Sequence, residues 1–425
     1  MRSKKSKSVV AALFFVVLLV STTVSMQAQA PGFKVLHTFH GKDGARPVGQ
    51  LIRDKSGDFY GTTGVGGFGN CQLGCETAFE MNKSGTIVWT HSFRGPNGQN
   101  PGGGLHRDPA GDLYGTTAFG GKVNNHICSS GCGVVFKLDK MGNETVLHKF
   151  TGTPDGYFPF SLLADDSGGD LYGPTNTGGG NGLGTIFKVT KTGGETVFYS
   201  FSGGSDGCEP SAGVTLDSAG NLYGVTLMGG AGFCNSGYGI VFKLDTAGNE
   251  TVLHTFEGED GANPASVLLL GSEGNLYGTT ENGGTSIVCE GGCGTVFELS
   301  PQQNGSWSET VLYSFCSLSD CTDGFDPGGG PLVRDAAGNL YGTTETGGAY
   351  RNCNGQGCGV VFKLDKSGHE TVLHSFSGGR DGASPVAGLT IDSAGNLYGA
   401  AVAGGDLACK SGTNEGCGTV FKITP

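Results

Sequence analysis

The chain has 425 residues, of which 82 are glycine, 15 proline and 14 cysteine, and it carries a formal charge of −12. Glycine at this level without a three-residue period excludes collagen. The acidic balance argues against partners bound by neutralising phosphates, namely nucleic acid and anionic membrane surfaces.

Residues 1–30 read as a removable leader. Arg2, Lys4, Lys5 and Lys7 form a basic head, an apolar run spans Val9 to Val20, and Ala28-Gln29-Ala30 has the small-x-small form of a signal-peptide cleavage site. The apolar run is short for a membrane anchor. Without the four basic residues the formal charge moves from −12 to −16. The remaining chain, 31–425, is expected to be a single domain with no membrane span, either secreted or held in the periplasm or cell envelope.

The first element after the leader is a lone strand, Phe33 to Phe39. A unit then repeats seven times, a pattern that takes precedence over any local reading. Its anchor is a tyrosine, at Tyr60, Tyr114, Tyr172, Tyr223, Tyr277, Tyr341 and Tyr398, spaced 51 to 64 residues apart. A Gly-Gly pair begins six residues after each, from Gly66-Gly67 to Gly404-Gly405. In the last unit, strand A is expected over Pro385–Asp392, strand B over Asn396–Ala400, and strand C over Gly418–Ile423, after a variable loop. Earlier units continue into a strand D such as Glu370–Phe376 and an Asp-Gly loop. Short alternating apolar runs between Gly/Asn/Asp turns, with no long 3.6-residue apolar face, make the class all-β.

Four antiparallel strands per unit, seven times over, predict a seven-bladed β-propeller. The lone first strand and the final A-B-C set complement each other, so 33–39 is expected to pair with 418–423 and close the ring. An open β-solenoid would gain nothing from this offset and would need terminal caps. In strand D, Val372, His374 and Phe376 are expected on one face and Thr371, Leu373 and Ser375 on the other. The recurrent Phe of strand C (Phe79, Phe136, Phe187, Phe242, Phe297, Phe362, Phe421) and the tyrosine are expected between blades, with the hydroxyl needing a partner. His37, His91, His148, His254 and His374 belong to the same lattice.

The cysteines suggest disulfides in an exported protein. They fall as Cys71 with Cys75, Cys128 with Cys132, Cys289 with Cys293, Cys316 with Cys321, Cys353 with Cys358, and Cys409 with Cys417. Cys208 and Cys234 are left over, in loops expected on one face. Zinc is disfavoured because no second thiol or histidine pair recurs at a regular distance. The B–C and D–A loops share a variable face, which is the candidate ligand face, with His126, Tyr157, Phe158, Phe233, Tyr350, Arg351 and Arg380 as its distinctive residues. The channel mouth is the other candidate. The Asp-Gly steps could offer oxygens to calcium, but such a step is first a turn former. No cofactor is expected. No nucleophile triad, metal-ligand histidine spacing or phosphate loop occurs.

The form Gly-x-Val-Phe-Lys-Leu, then Val-Leu-His-x-Phe, Asp-Gly, Pro and Asn-Leu-Tyr-Gly-Thr-Thr-x-x-Gly-Gly resembles the Gloeobacter/Verrucomicrobia-type (GloVer) repeat of exported bacterial proteins. Residues 240–281 and 359–400 carry it closely. The resemblance implies a secreted or surface protein and carries over no catalytic residue. Some relatives bear C-terminal sorting segments; this chain ends at Pro425, directly after strand C, which departs from that arrangement. The Gly-Asn-Leu-Tyr turn is more distantly similar to propellers of the NHL type, which mostly bind other molecules. The expected function is therefore a binding or scaffold module for a carbohydrate or an extracellular protein. One alternative is a polysaccharide hydrolase or lyase, which non-repeated Asp, Glu, Arg or His at the channel mouth would favour. The other is a structural envelope protein, which a flat variable face would favour.

Overall fold

Each of the seven units folds into its own antiparallel sheet. The computed structural model describes residues 32–67, 76–124, 126–409 and 416–425; the proposed leader and Cys71 and Cys75 lie outside the described residues. Blade VI is representative, with strand A at Val333–Arg334, B at Leu340–Thr344, C at Val360–Leu364 and D at Glu370–Ser375. Blade VII is assembled from both termini. Gly32–Thr38 pairs antiparallel with Thr419–Thr424, setting Phe33 opposite Ile423 and Val35 opposite Phe421. This is the expected ring closure.

The lattice between blades explains most of the repeat. The Phe that ends each strand D packs on the strand-C Phe of the next blade, at all seven junctions: Phe39–Phe79, Phe93–Phe136, Phe150–Phe187, Phe201–Phe242, Phe256–Phe297, Phe315–Phe362 and Phe376–Phe421. The glycine of Asn-Leu-Tyr-Gly makes room for that ring. A Cβ at Gly224 would lie 2.6 Å from Phe242, and one at Gly399 2.6 Å from Phe421. The tyrosine hydroxyl finds its partner in the A–B turn. Tyr60, Tyr114, Tyr172, Tyr223, Tyr341 and Tyr398 donate to the turn Asp at 2.9–3.5 Å. In blade V that Asp is replaced by Gly271, and Tyr277 donates instead to Glu298 at 2.9 Å.

Two expectations need correction. Strand D does not alternate simply. A β-bulge at Leu373 sets Phe362 opposite Val372 but Val361 opposite His374. Val372 therefore packs in the cluster around Phe315 and Phe362, while Leu373 and Phe376 pack toward blade VII. The extra residue shifts the face of everything that follows it. Strand A is also shorter than Pro385–Asp392, running only Leu389–Ile391. The chain kinks upstream because in every unit the residue before the proline that opens the strand-A segment is left-handed, from Arg46 (φ 58°) to Ser384 (φ 52°), and proline offers no N–H to a ladder.

The D–A loops are pinned by their Asp-Gly aspartates. Asp43, Asp155, Asp260 and Asp381 pair with His37, His148, His254 and His374 at 2.9–3.2 Å. Asp206 and Asp323 accept from Tyr199 and Tyr313 at 2.7 and 2.8 Å. The same aspartates accept loop N–H groups, such as those of His40, Thr151, Glu257 and Ser377. Burial pushes the Asp155 carboxyl up, but the bonds from His148 and Thr151 outweigh it and hold the group below the ordinary range.

Opposite several of these pairs, the next blade places a glutamate at the start of strand D. Glu370 is only 9% exposed, and one carboxyl oxygen each of Glu195, Glu250, Glu309 and Glu370 is buried without a partner. Burial pushes Glu250 and Glu309 up to about 7 and Glu370 to about 8, with the neighbouring aspartate charge adding to each.

Near the axis the strand-A segments touch backbone to backbone. A Cβ at Gly330 would lie 2.2 Å from the Gly388 nitrogen, and one at Gly103 2.4 Å from the Ser161 carbonyl carbon.

Two predictions follow from this lattice. Deleting residues 32–39 removes Phe33, Val35 and Phe39 from two junctions, each worth about 1.5–3 kcal/mol of burial, and should lower the melting temperature by at least ~5 °C; an unchanged melting curve would contradict closure by the first strand. Glutamates with folded pKa values of about 7 to 8, above the unfolded value of about 4.3, contribute stability that is full at low pH and lost as pH rises through 7 to 8. The lowered aspartates contribute above about pH 3.9 and lose that contribution in strong acid. Thermal stability should therefore fall from pH 5 to pH 9, and the triple variant Glu250→Gln/Glu309→Gln/Glu370→Gln should flatten the fall. A wild-type curve that rises with pH over this range would contradict the assignment.

Candidate functional site

The first residues of the seven strand-A segments converge on the axis around a cavity of about 320 Å³. Every blade contributes to it: Val48 and Gln50 from blade I, Gly102 from II, Phe160 and Ser161 from III, Ser211 from IV, Ala265 from V, Pro331 from VI and Val386 from VII. Strand A runs away from the D–A loop that precedes it, so the cavity lies under the variable loop face. Its wall is apolar and backbone-rich, with Gln50 and two serine hydroxyls as polar points. Glu281, at the end of strand B in blade V, is the one ionisable lining side chain among the described residues.

Phe160 forms an aromatic shelf at this wall. It is 39% exposed and stacks on Phe158 with ring centroids 5.8 Å apart and planes 22° apart. A side chain at Gly102 could not coexist with it, since a Cβ there would sit 1.8 Å from the Phe160 ring.

Two rings of side chains surround the mouth, two residues upstream of the lining and at the end of strand B. The first ring is the set of left-handed residues before proline: Arg46, Asn100, Phe158, Glu209, Asn263, Asp326 and Ser384. Left-handed backbone at non-glycine residues is strained and held only by surrounding bonds. Here each residue is clamped within its own blade and to the preceding one, as where the Asp326 carbonyl accepts the Glu345 N–H at 2.8 Å and the Asp326 N–H donates to the Cys293 carbonyl of blade V at 3.1 Å. The second ring lies four residues after each tyrosine: Gly64, Ala118, Asn176, Leu227, Glu281, Glu345 and Val402. These are the positions where the repeat stops repeating.

Three acids from these rings gather between blades V and VI. Burial, then the charges of Asp326 and Glu345, push Glu281 up to about 7. Burial raises Asp326, and burial followed by Asp326 raises Glu345, partly offset by Arg46. A carboxylic acid that keeps its proton near neutrality can donate one at the cavity wall.

The seven candidate ligand-face residues are not brought together. Tyr157 and Phe158 share a hollow of about 160 Å³ with Phe119 and the Cys128–Cys132 loop. Phe233 (83% exposed) and Tyr350 (47%) stand on loops of blades IV and VI. Arg351 is exposed and donates to the carbonyls of Asp320 and Gln356, and His126 and Arg380 are exposed too. Only Phe158 reaches the axial site. Glu281, Asp326 and Glu345 escaped the sequence reading because each replaces an unremarkable position of an otherwise regular motif. Aligning the units on the proline and on the tyrosine would have exposed them.

Among the described residues, disulfides form as Cys128–Cys132, Cys208–Cys234, Cys289–Cys293, Cys316–Cys321, Cys353–Cys358 and Cys409–Cys417. Cys208 in a D–A loop and Cys234 in a B–C loop thus meet on one face. Cys289, Cys293 and Cys316 lie near one another, but all three are spent in disulfides. Two blade junctions can hold a metal ion, His148/Asp155/Glu195 and His254/Asp260/Glu309, with ligand atoms within 4.8 Å of one another. One imidazole nitrogen and two carboxylates suit a transition metal better than the all-oxygen shell of calcium. No helix among the described residues is long and apolar enough to cross a membrane.

The sequence matches the Gloeobacter/Verrucomicrobia repeat over residues 21–182, 74–290 and 165–409. No curated protein matches it. Among solved structures, the fold is similar to the extracellular domain of a hybrid two-component system of B. thetaiotaomicron, at 12% identity and a TM-score of 0.53, covering 93% of this chain and 41% of that one. This chain therefore spans less than half the length of that structure. A fungal alcohol oxidase in complex with copper is similar at 13% identity and a TM-score of 0.54, covering 93% of this chain and 76% of the oxidase. At these identities the likeness is one of fold.

Proposed function

Since this chain belongs to the Gloeobacter/Verrucomicrobia repeat family, we propose that it is an exported binding module whose axial cavity takes a carbohydrate. The observation that carries this is the cavity itself, with an exposed phenylalanine on one wall and Gln50, Ser161, Ser211 and Glu281 as hydrogen-bonding groups. An aromatic face packs on the C–H face of a sugar ring, and a few placed polar groups fix the hydroxyls. A cavity at the axis counts against a purely structural envelope protein. The basic-apolar leader pattern and the disulfides support export, with residues 31–425 as the mature domain in the extracellular space or cell envelope. An extracellular protein partner would engage the outer loops instead. The Asp-Gly aspartates are occupied by histidine, tyrosine and loop N–H groups, which leaves calcium a minor role.

Titration calorimetry against a panel of mono- and oligosaccharides tests the reading. Phe160→Ala should weaken binding about tenfold, or ~1.4 kcal/mol. Binding unaffected by this change would move the site off the axis.

A second reading, a hydrolase or lyase on polysaccharide, is favoured by the non-repeated acids Glu281, Asp326 and Glu345 beside the cavity. Glu281, protonated near neutral pH, would serve as general acid and an ionised neighbour as base or nucleophile. Incubation with polysaccharides should then release new reducing ends or unsaturated products, and Glu281→Gln should cut the rate by at least ~100-fold. Binding without any product leaves the chain a binding module.

A further inference from the structure

A second cavity, of about 350 Å³, opens on the loop face between blades VI and VII. Its walls differ from those of the axial cavity. They carry Glu345, Thr346, Asn352, Asn354, Gln356 and Ser384, with half-exposed Leu407 at one edge. Both cavities fall within the usual size of ligand pockets, about 300–1,000 Å³.

The frame of this cavity is held by bonds that leave its polar groups available. The Cys353–Cys358 disulfide closes the loop. Arg351 ties it to the carbonyls of Asp320 and Gln356. The Asn352 side-chain N–H donates to the Ser377 carbonyl at 2.9 Å, and the Thr346 hydroxyl donates to the Phe325 carbonyl at 3.1 Å. With those links made, the amides of Asn354 and Gln356, the Ser384 hydroxyl and the Glu345 carboxyl line the cavity without an intramolecular hydrogen bond of their own. Such a set offers donors and acceptors at short spacing, beside a smaller apolar share from Ala383, Ala403 and Leu407. It suits a ligand whose surface carries closely spaced hydroxyls beside C–H faces, as a sugar ring does.

The two cavities are linked by the acids. Glu281 lines the axial one and Glu345 the outer one; the Glu345 N–H donates to the Asp326 carbonyl at 2.8 Å, and a Cβ at Gly294 would touch both Pro327, next to Asp326, and the Glu281 carbonyl. Asp326 and Glu345, when ionised, repel a ligand that carries carboxylate or sulfate, while a protonated Glu281 still bonds a neutral hydroxyl.

We infer that the cavity between blades VI and VII is a second saccharide subsite, so that the protein takes an uncharged oligosaccharide with one unit at the axis and others running outward over Glu345 to Gln356. This inference rests on the carbohydrate-binding reading of the axial cavity.

The test is calorimetry with glucose, mannose, galactose and N-acetylglucosamine oligomers of one to four units, and with a galacturonic acid tetramer. The wild type should gain at least about tenfold in affinity with length for one of the neutral series and should not bind the galacturonic acid tetramer. The variant Asn354→Gly/Gln356→Ala, at two exposed residues whose side chains make no hydrogen bond among the described residues, should melt like the wild type, keep the affinity for a single unit and lose the gain with length. Phe160→Ala should weaken every length alike. A gain with length that survives in the double variant, no gain in the wild type, or preference for the galacturonic acid tetramer would overturn the outer subsite while leaving the axial site standing. Failure of every saccharide to bind would remove the axial reading and the outer subsite together.

Discussion

A sheet that is apolar on both faces must be covered twice, and no single blade of this protein can cover itself. The solution is one contact made seven times, a strand-D phenylalanine against the strand-C phenylalanine of the next blade, with ring centroids 4.7 to 5.4 Å apart. Because each blade supplies one ring forward and one ring backward, the series has no unpaired member only if it closes. The first strand satisfies this condition. Phe39 meets Phe79 of blade I, while the strand it ends lies beside Thr419–Thr424 of blade VII. Contacts nearer the axis repeat the closure, as where the Gln50 side chain donates to the Leu389 carbonyl at 2.7 Å and Arg53 lies over the Tyr398 ring.

The polar groups follow the same economy, and their departures are informative. Where the unit changes along the rim, a neighbour compensates. Glu298 stands in when the turn aspartate becomes Gly271, tyrosine replaces histidine opposite Asp206 and Asp323, and Phe33 stacks on His374 at 3.7 Å where other junctions place a glutamate. Around the axial mouth Asn263 is bonded to the Leu227 carbonyl and the Asn282 amide, but the acids have no such counterpart among the described residues. Among the described residues Arg46 is the one cation that acts on the cluster of Glu281, Asp326 and Glu345, and Phe160 is left partly exposed. Residues that break a local rule without a structural return are where function is expected.

Much of the architecture was legible in the sequence because a repeat reports its own period. Strand count, closure by Phe33–Phe39, the loop faces and the local cysteine pairs all follow from spacing. The bulge at Leu373 was not legible, since an inserted residue leaves the apolar pattern of strand D unchanged while shifting its partners. Nor was the left-handed ring before the prolines, because Arg, Phe and Asp at those places give no turn signal of their own. The candidate site was legible only as a location. Sequence reading favoured conspicuous loop residues such as Phe233 and Tyr350, which the fold spreads over separate blades, whereas the axial acids come together from a strand end of blade V and two segments of blade VI.

Hydrogen exchange of the backbone amides measures the closure directly. If the first strand is a full member of blade VII, the amides of residues 33–38 that bond to strand C should exchange as slowly as those of Thr371–Ser375 in blade VI, since both then open only with the sheet. Exchange of 33–38 at the rate of an exposed loop, with the remaining blades protected, would mean that the ring is held by other contacts and that the seven junctions are not equivalent.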